Sequence, residues 1–201
     1  MLLSLQELFD IVIMTFALGY IFSDNFGIRH VIKSYEEDPV GYYKSVMKRK
    51  LSGFQWQNFW TACLAVVPAI LFHELGHKLV AMYYGLSATF HAAYFWLGFG
   101  VLMKLLNTGF IFFVPAYVSH SSAALPIENA TIAFAGPFVN LTLWFVCWFI
   151  LKFKPFEMSV RTAQILAGSR YINGFLFIFN MIPIGFFDGA KVLDGILKTF
   201  F

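Results

Sequence analysis

The sequence predicts a membrane all-α fold: a polytopic helical bundle with about four full spans and a short C-terminal helix. A membrane-associated β-hairpin or small sheet is expected at about 87–118. Three observations predict this. Hydrophobic residues make up 59% of the 201 and charged residues only 12%, against about 25% charged in soluble domains. So few charges cannot cover a globule of this size without large apolar patches, so its surface is expected to face lipid. Apolar runs close to the ~20 residues that cross a bilayer as helix recur along the chain. Only one long hydrophilic segment, 23–55, interrupts them. The same arithmetic excludes a disordered chain. It also excludes a nucleic-acid binder, since the net charge is only +3 and the basic residues line no stripe.

The first span is placed at about 4–22 and carries Glu7 and Asp10, which make it the weakest. No basic stretch or small-residue cleavage site marks it as a signal peptide, so it reads as retained. The polar loop 23–55 holds Asp24, Arg29, Glu36, Glu37 and the basic run Lys44, Lys48, Arg49, Lys50. The second span runs over about 57–83. Gly85 stops it, and Pro68 inside it removes one backbone donor. Residues 87–119 are apolar and aromatic, with two runs that suit strands flanking the turn Asn107-Thr108-Gly109. A third span at about 128–151 and a fourth at about 164–182 follow. The loop Pro183–Phe187 leads into a final helix at about 188–200. Cys63 and Cys147 lie in apolar runs and read as small buried hydrophobes.

The chemistry concentrates in the second span, at His73-Glu74-Leu75-Gly76-His77. Histidines four apart share one helical face, so both imidazoles can hold one cation. Glu74 is turned away by about 100° and can serve water at the metal without being a ligand. Zinc acidifies such water toward pKa ~7, and a carboxylate can take its proton. The bland alternative is coincidence. A carboxylate inside a span costs about 2.5–3.5 kcal/mol or more unless compensated, and a metal compensates it. Catalytic zinc takes three protein ligands and leaves one position open. Candidates for the third are His91, His120 and His30, and the carboxylates Asp188, Asp194 and Asp10. Asp188 is the strongest. It follows Pro183 and Gly185, which break the helix, and broken backbone at membrane depth belongs inside protein or beside water.

Three motifs now stand in order: His73–His77 in one span, Gly136-Pro137-Phe138-Val139-Asn140 in the next, and Asn180–Gly189 in the pattern NxxPxxxxDG. Together they resemble the site-2 protease family of intramembrane zinc metalloproteases. The resemblance covers about 57–190, with Ala190 where a second glycine is more frequent. It implies a single integral-membrane protease domain over 1–201, multi-pass in the cell membrane, and the sequence is expected to depart from the family in lacking PDZ-like and CBS-like regulatory domains. It implies one Zn2+ per chain held by His73, His77 and Asp188, with Glu74 as general base. Asn140 and Asn180 become contacts for substrate or oxyanion, or else interhelical hydrogen bonds. The implied partners are membrane lipid and a transmembrane protein substrate. The edge of the sheet at 87–118 would add an unfolded substrate strand. The implied activity is hydrolysis of peptide bonds within or near transmembrane segments. The alternative from the residues is a non-proteolytic metal-binding or divalent-cation transport protein. Transporters place further ligands along a path through the spans, and few are seen here. Basic residues in 23–56 and 152–163 assign that side to the cytoplasm, whereas the family carries its zinc nearer the cytosol than this assignment allows.

Overall fold

The computed structural model describes residues 3–26, 54–108 and 114–201. Helix α1 (Leu5–Phe22) passes into a 3-10 turn (Ser23–Phe26). After it come α2 (Trp56–Tyr83), strand β1 (Ala88–Ala92), α3 (Tyr94–Leu105), strand β2 (Ala116–His120), α4 (Pro126–Phe153), α5 (Val160–Asn180) and α6 (Asp188–Phe200). Most of the polar loop, including Arg29, His30 and the basic run, lies outside the described residues.

Among the described residues, three helices are long and apolar enough to cross a membrane: Leu5–Phe26, Trp56–Tyr83 and Pro126–Phe153. At 28 residues, α2 and α4 are each about 42 Å long at 1.5 Å per residue. The fourth expected span forms α5, which carries Arg161, Gln164 and Arg170 and is less apolar. The outer faces are oily: Phe9, Val12 and Phe16 on α1, and Phe138, Phe145 and Phe149 on α4, are exposed. That surface suits lipid.

Local chemistry sets the element ends. Ser4 and Glu7 form a capping box at the start of α1. Gly85, at φ +76, closes α2 in the left-handed conformation that glycine adopts without strain. Pro126 opens α4 from the first turn, where its missing N–H has no role. The chain stays helical through Pro68 and Pro137.

The segment 87–118 does form a small sheet, but not the expected hairpin around 107–109. β1 and β2 pair antiparallel, with Phe90 opposite Val118 and His91 opposite Tyr117. The twelve-residue helix α3 lies between them. Tyr94, Phe95, Trp96 and Phe99, expected in a strand, are helical. The cause is the spacing of contacts: Leu97 and Gly100, three apart, are the residues of α3 that turn inward. Asn107, at φ +52, ends the helix, so this part of the turn signal marks a helix stop. Gly109 and the Phe110–Phe113 run lie outside the described residues. Pro115 stands just before β2, where its carbonyl accepts from Ala93 N–H at 3.0 Å.

α2 is the central element, packed by α1, α4 and α5, with the sheet across one end. Glycines permit the closest approaches. A Cβ on Gly76 would lie 3.0 Å from the Ala135 carbonyl oxygen. A Cβ on Gly195 would press into Pro126 and Ala130, so α6 sits directly on the start of α4. At Ala135 and Gly136 the third span thus lies directly against the second.

Candidate metal and catalytic site

The site forms where α2, α4 and the start of α6 meet. His73 and His77 project from one face of α2, one turn apart, and are almost fully buried. Asp188 is the first residue of α6. Two features bring it inward. Gly185, at φ +62, reverses the chain after α5. A side chain on Gly189 would collide with the Met181 and Ile182 carbonyls, so only glycine lets α6 fold back so tightly. Asp188 Oδ2 then stands 3.3 Å from His73 Nε2 and 3.3 Å from His77 Nε2. The two Nε2 atoms are 3.1 Å apart. Among the described residues, His73, His77 and Asp188 are the group whose donor atoms could share one metal ion, all within 4.8 Å.

Hydrogen bonds behind the rings fix what these atoms are. Asn140 uses its NH2 group on the Ala69 carbonyl at 2.9 Å and on Asn173 Oδ1 at 2.8 Å. Its oxygen therefore faces His73 Nδ1, at 2.6 Å. His77 Nδ1 faces the Ile132 carbonyl at 2.7 Å. An oxygen acceptor behind each Nδ1 calls for a proton there, and in the neutral imidazoles that leaves both Nε2 lone pairs bare. Two bare nitrogens and a carboxylate oxygen at 3.1–3.3 Å repel one another unless a cation lies among them. Two imidazoles and a carboxylate are a donor set of catalytic zinc, and outer hydrogen bonds of this kind orient zinc-binding histidines. The site fits zinc.

Gly136 completes the fit. A Cβ there would lie 2.8 Å from His73 Cε1 and closer still to the His77 ring. The glycine of the GPxxN motif is thus the floor on which both imidazoles rest. Pro137 is buried beside it.

Glu74 is outside the three-residue cluster but lines the same cavity, of about 320 Å³. Asn180, His120 and Lys191 also line it, and Lys191 Nζ lies 3.7 Å from Asp188 Oδ1. Asn140 does not line it: it is fully buried and its bonds run to His73, Ala69 and Asn173. These are interhelical hydrogen bonds, one of the two expectations for Asn140. Asn180 keeps a place on the cavity wall.

Among the described residues the other candidates for a third ligand stand outside the cluster, although His120 and Asp194 line the cavity, and His30 lies outside the described residues. His91 is on β1, bonded to Ser119 Oγ at 2.9 Å and stacked on Tyr117. Asp10 is bonded to the Ala92 amide and the Tyr94 hydroxyl. Asp194 pairs with Lys198 at 2.8 Å. His120 reaches the cavity, but its Nδ1 is held by the Ser121 carbonyl at 3.0 Å and it stands outside the cluster. One contributor escaped the sequence reading. Asn173 accepts from Asn140 and donates to the Ser169 carbonyl of its own helix, at 2.8 Å each, and together with the Asn140 bond to Ala69 this links α2, α4 and α5 behind the metal site. Its signal was a polar Asn inside the apolar run 171–179.

The sheet edge expected to add a substrate strand can be assigned to one strand. Ala93 N–H bonds to Pro115 and Ser121 N–H to Ser87, so the odd-numbered residues of β1 face β2. The backbone groups of Ala116, Val118 and His120 therefore point away from β1, and all three residues line the 320 Å³ cavity. A second, more apolar cavity of about 490 Å³ adjoins it, sharing Ile70, Pro115, Leu176 and Phe179.

Comparison with known proteins agrees with this geometry. A protein of Methanocaldococcus jannaschii named "Putative zinc metalloprotease" is 35% identical over 193 residues, which cover 94% of this chain and 84% of that one. The chain belongs to this zinc metalloprotease family. A Synechocystis protein of the same name is 28% identical over 145 residues, 72% of this chain but 33% of its own length. No family model and no solved structure matches the chain. The cluster is thus a fit for the metal that gives the family its name.

Proposed function

We propose that this zinc metalloprotease is an intramembrane endopeptidase of the site-2 protease type, cutting within or near transmembrane segments of other membrane proteins. The observation that carries the proposal is the placement of the His73–His77–Asp188 cluster. It lies buried in a bundle with three helices able to span a membrane, so a substrate must come to it from the membrane.

His73, His77 and Asp188 would hold one Zn2+. When bound, zinc supplies Lewis acidity that polarises a carbonyl and acidifies water. Glu74 takes the proton of the attacking water as its oxygen bonds to the scissile carbonyl carbon. The same carboxyl returns a proton to the amide nitrogen as the C–N bond breaks, so one amine and one carboxylate leave. Asn180 and Lys191, on the cavity wall, are placed to contact the carbonyl oxygen or neighbouring backbone.

A helical substrate hides its carbonyls in hydrogen bonds, so it must unwind first. The outward backbone of Ala116, Val118 and His120 offers an unwound segment strand pairing beside the metal site. The adjoining apolar cavity has room for side chains from the membrane. Among the described residues there is one ligand cluster, with no chain of further ligands such as an ion path needs.

The test is reconstitution in vesicles with a transmembrane substrate, comparing wild type with Glu74→Gln. Zinc retained and cleavage lost supports the assignment. Cleavage by Glu74→Gln at the wild-type rate removes Glu74 as base, and a zinc-loaded wild type that cuts soluble but no membrane-embedded peptides rejects the intramembrane reading.

A further inference from the structure

Glu7 and Asp10 take no part in the chemistry above, yet they are the two carboxylates of α1. Each is 2% exposed, in a helix whose other side presents Leu8, Phe9 and Val12 outward. Ionisable groups in a span are costly to place and are found there with a partner or a task. They share one face with Met14, Leu18 and Ile21, the buried residues of α1.

That face abuts β1. Glu7 Oε1 accepts from the Phe90 N–H at 2.7 Å, and Asp10 Oδ2 accepts from the Ala92 N–H at 3.0 Å. Phe90 and Ala92 alternate with the residues that bond to β2, so both amides belong to the outer edge of β1. The carboxylates thus occupy the positions that carbonyls of another strand would fill. Their charge is met locally. Lys78 forms a buried ion pair with Glu7, and Tyr94 donates its hydroxyl hydrogen to Asp10. Lys78 directly follows the metal-site residue His77 in α2. One polar knot therefore joins α1, the helix of the metal site and β1. The sheet's opposite edge, on β2, lines the catalytic cavity.

We propose that Glu7 and Asp10 are positioning residues for the substrate strand. They close the outer edge of β1 and fix the sheet to α1 and α2, leaving the β2 edge to receive the peptide at a set height beside His73, His77 and Asp188. This rests on the strand-pairing reading above. An apolar side chain at either position would leave a strand amide without an acceptor in an apolar setting, which membrane proteins avoid. An open outer edge would also invite pairing at a distance from the metal.

Two measurements on the full chain in vesicles test it. The first compares Asp10→Leu, Asp10→Asn and Tyr94→Phe, using a peptide from a transmembrane segment. Asp10→Leu should raise KM about tenfold, equivalent to about 1.4 kcal/mol, with kcat within about twofold and zinc content unchanged. Asp10→Asn keeps an acceptor oxygen for the Ala92 amide and should restore most of the KM. Tyr94→Phe keeps that same bond and should stay close to wild type. An unchanged KM in Asp10→Leu overturns the proposal. So does a loss of zinc and kcat together, which marks a role in folding alone. The second measurement is hydrogen exchange on the wild type. The Phe90 and Ala92 amides should be protected like the ladder amides of Thr89 and His91, and rapid exchange at 90 and 92 overturns the proposal even where variants fail to fold. The exchange readout needs no activity, so an inactive wild type with protected amides would defeat the protease reading while leaving the edge closure standing.

Discussion

Replacing Asn140 by Leu should weaken zinc binding without touching a metal ligand. The substitution keeps the branched outline of the side chain but removes the oxygen that stands 2.6 Å from His73 Nδ1. Without it, the His73 proton is no longer tied to Nδ1, and the ring can carry it on Nε2, the nitrogen that faces His77 and Asp188. A ring in that state cannot bind a metal through Nε2. Losing one such outer hydrogen bond costs about 10–100-fold in metal affinity, or about 1.4–2.7 kcal/mol. Asn173 Oδ1 also loses its donor, and an unpaired buried polar group adds about 1–3 kcal/mol of instability. The assay is competition for zinc against a chromophoric chelator, with the protein in detergent. Asn140→Asp separates the two effects. It keeps an acceptor behind His73, so zinc affinity should hold, while loss of the NH2 donors to Ala69 and Asn173 lowers the melting temperature. A folded Asn140→Leu protein that binds zinc as tightly as wild type would refute the argument that the outer bond sets the tautomer.

Gly136→Ala should sharply reduce zinc content, because the added methyl would fall on both imidazole rings; a fully loaded variant would show that α4 can retreat at little cost. Stripping zinc with a chelator should lower the melting temperature, since a ligand held at 1,000 times its Kd stabilises by about 4 kcal/mol. An unchanged melting temperature would mean that the cluster needs no cation. Substrates with helix-breaking residues near the cut should be cleaved far faster than uninterrupted poly-Leu spans in a matched peptide series, and efficient cleavage of poly-Leu would sink the unwinding requirement.

The parts of this molecule legible in the sequence are those where chemistry is local. His73 and His77 share a face because four residues make about one helical turn. Gly185 and Gly189 announce a reversal and a tight approach, and Asp188 lies between them. The helix end at Gly85 was readable for the same reason. What the sequence hid depends on partners far along the chain. Glu7 and Asp10 looked like defects of a span, although their spacing from Met14 and Leu18 put them on the inward face. Their acceptor role depends on β1, some eighty residues away. Asn140 was visible, but its partner Asn173 and its task behind His73 appear only once α2, α4 and α5 are packed. The aromatic run at 94–99 was misread because β-propensity reflects fit to a half-buried pleated surface. Here the chain meets α1 along a single face, and Lys104 of α3 donates to the Tyr20 carbonyl and to Ser23 Oγ at the end of that helix.

X-ray absorption at the zinc edge of the purified, zinc-loaded protein tests the central claim most directly. The account predicts one zinc per chain with two imidazole nitrogens at about 2.0–2.1 Å and carboxylate oxygen at about 2.0–2.2 Å. The spectrum should be unchanged in Glu74→Gln and stripped of carboxylate in Asp188→Ala. A spectrum with fewer than two imidazoles, or one altered by Glu74→Gln and indifferent to Asp188→Ala, would contradict it.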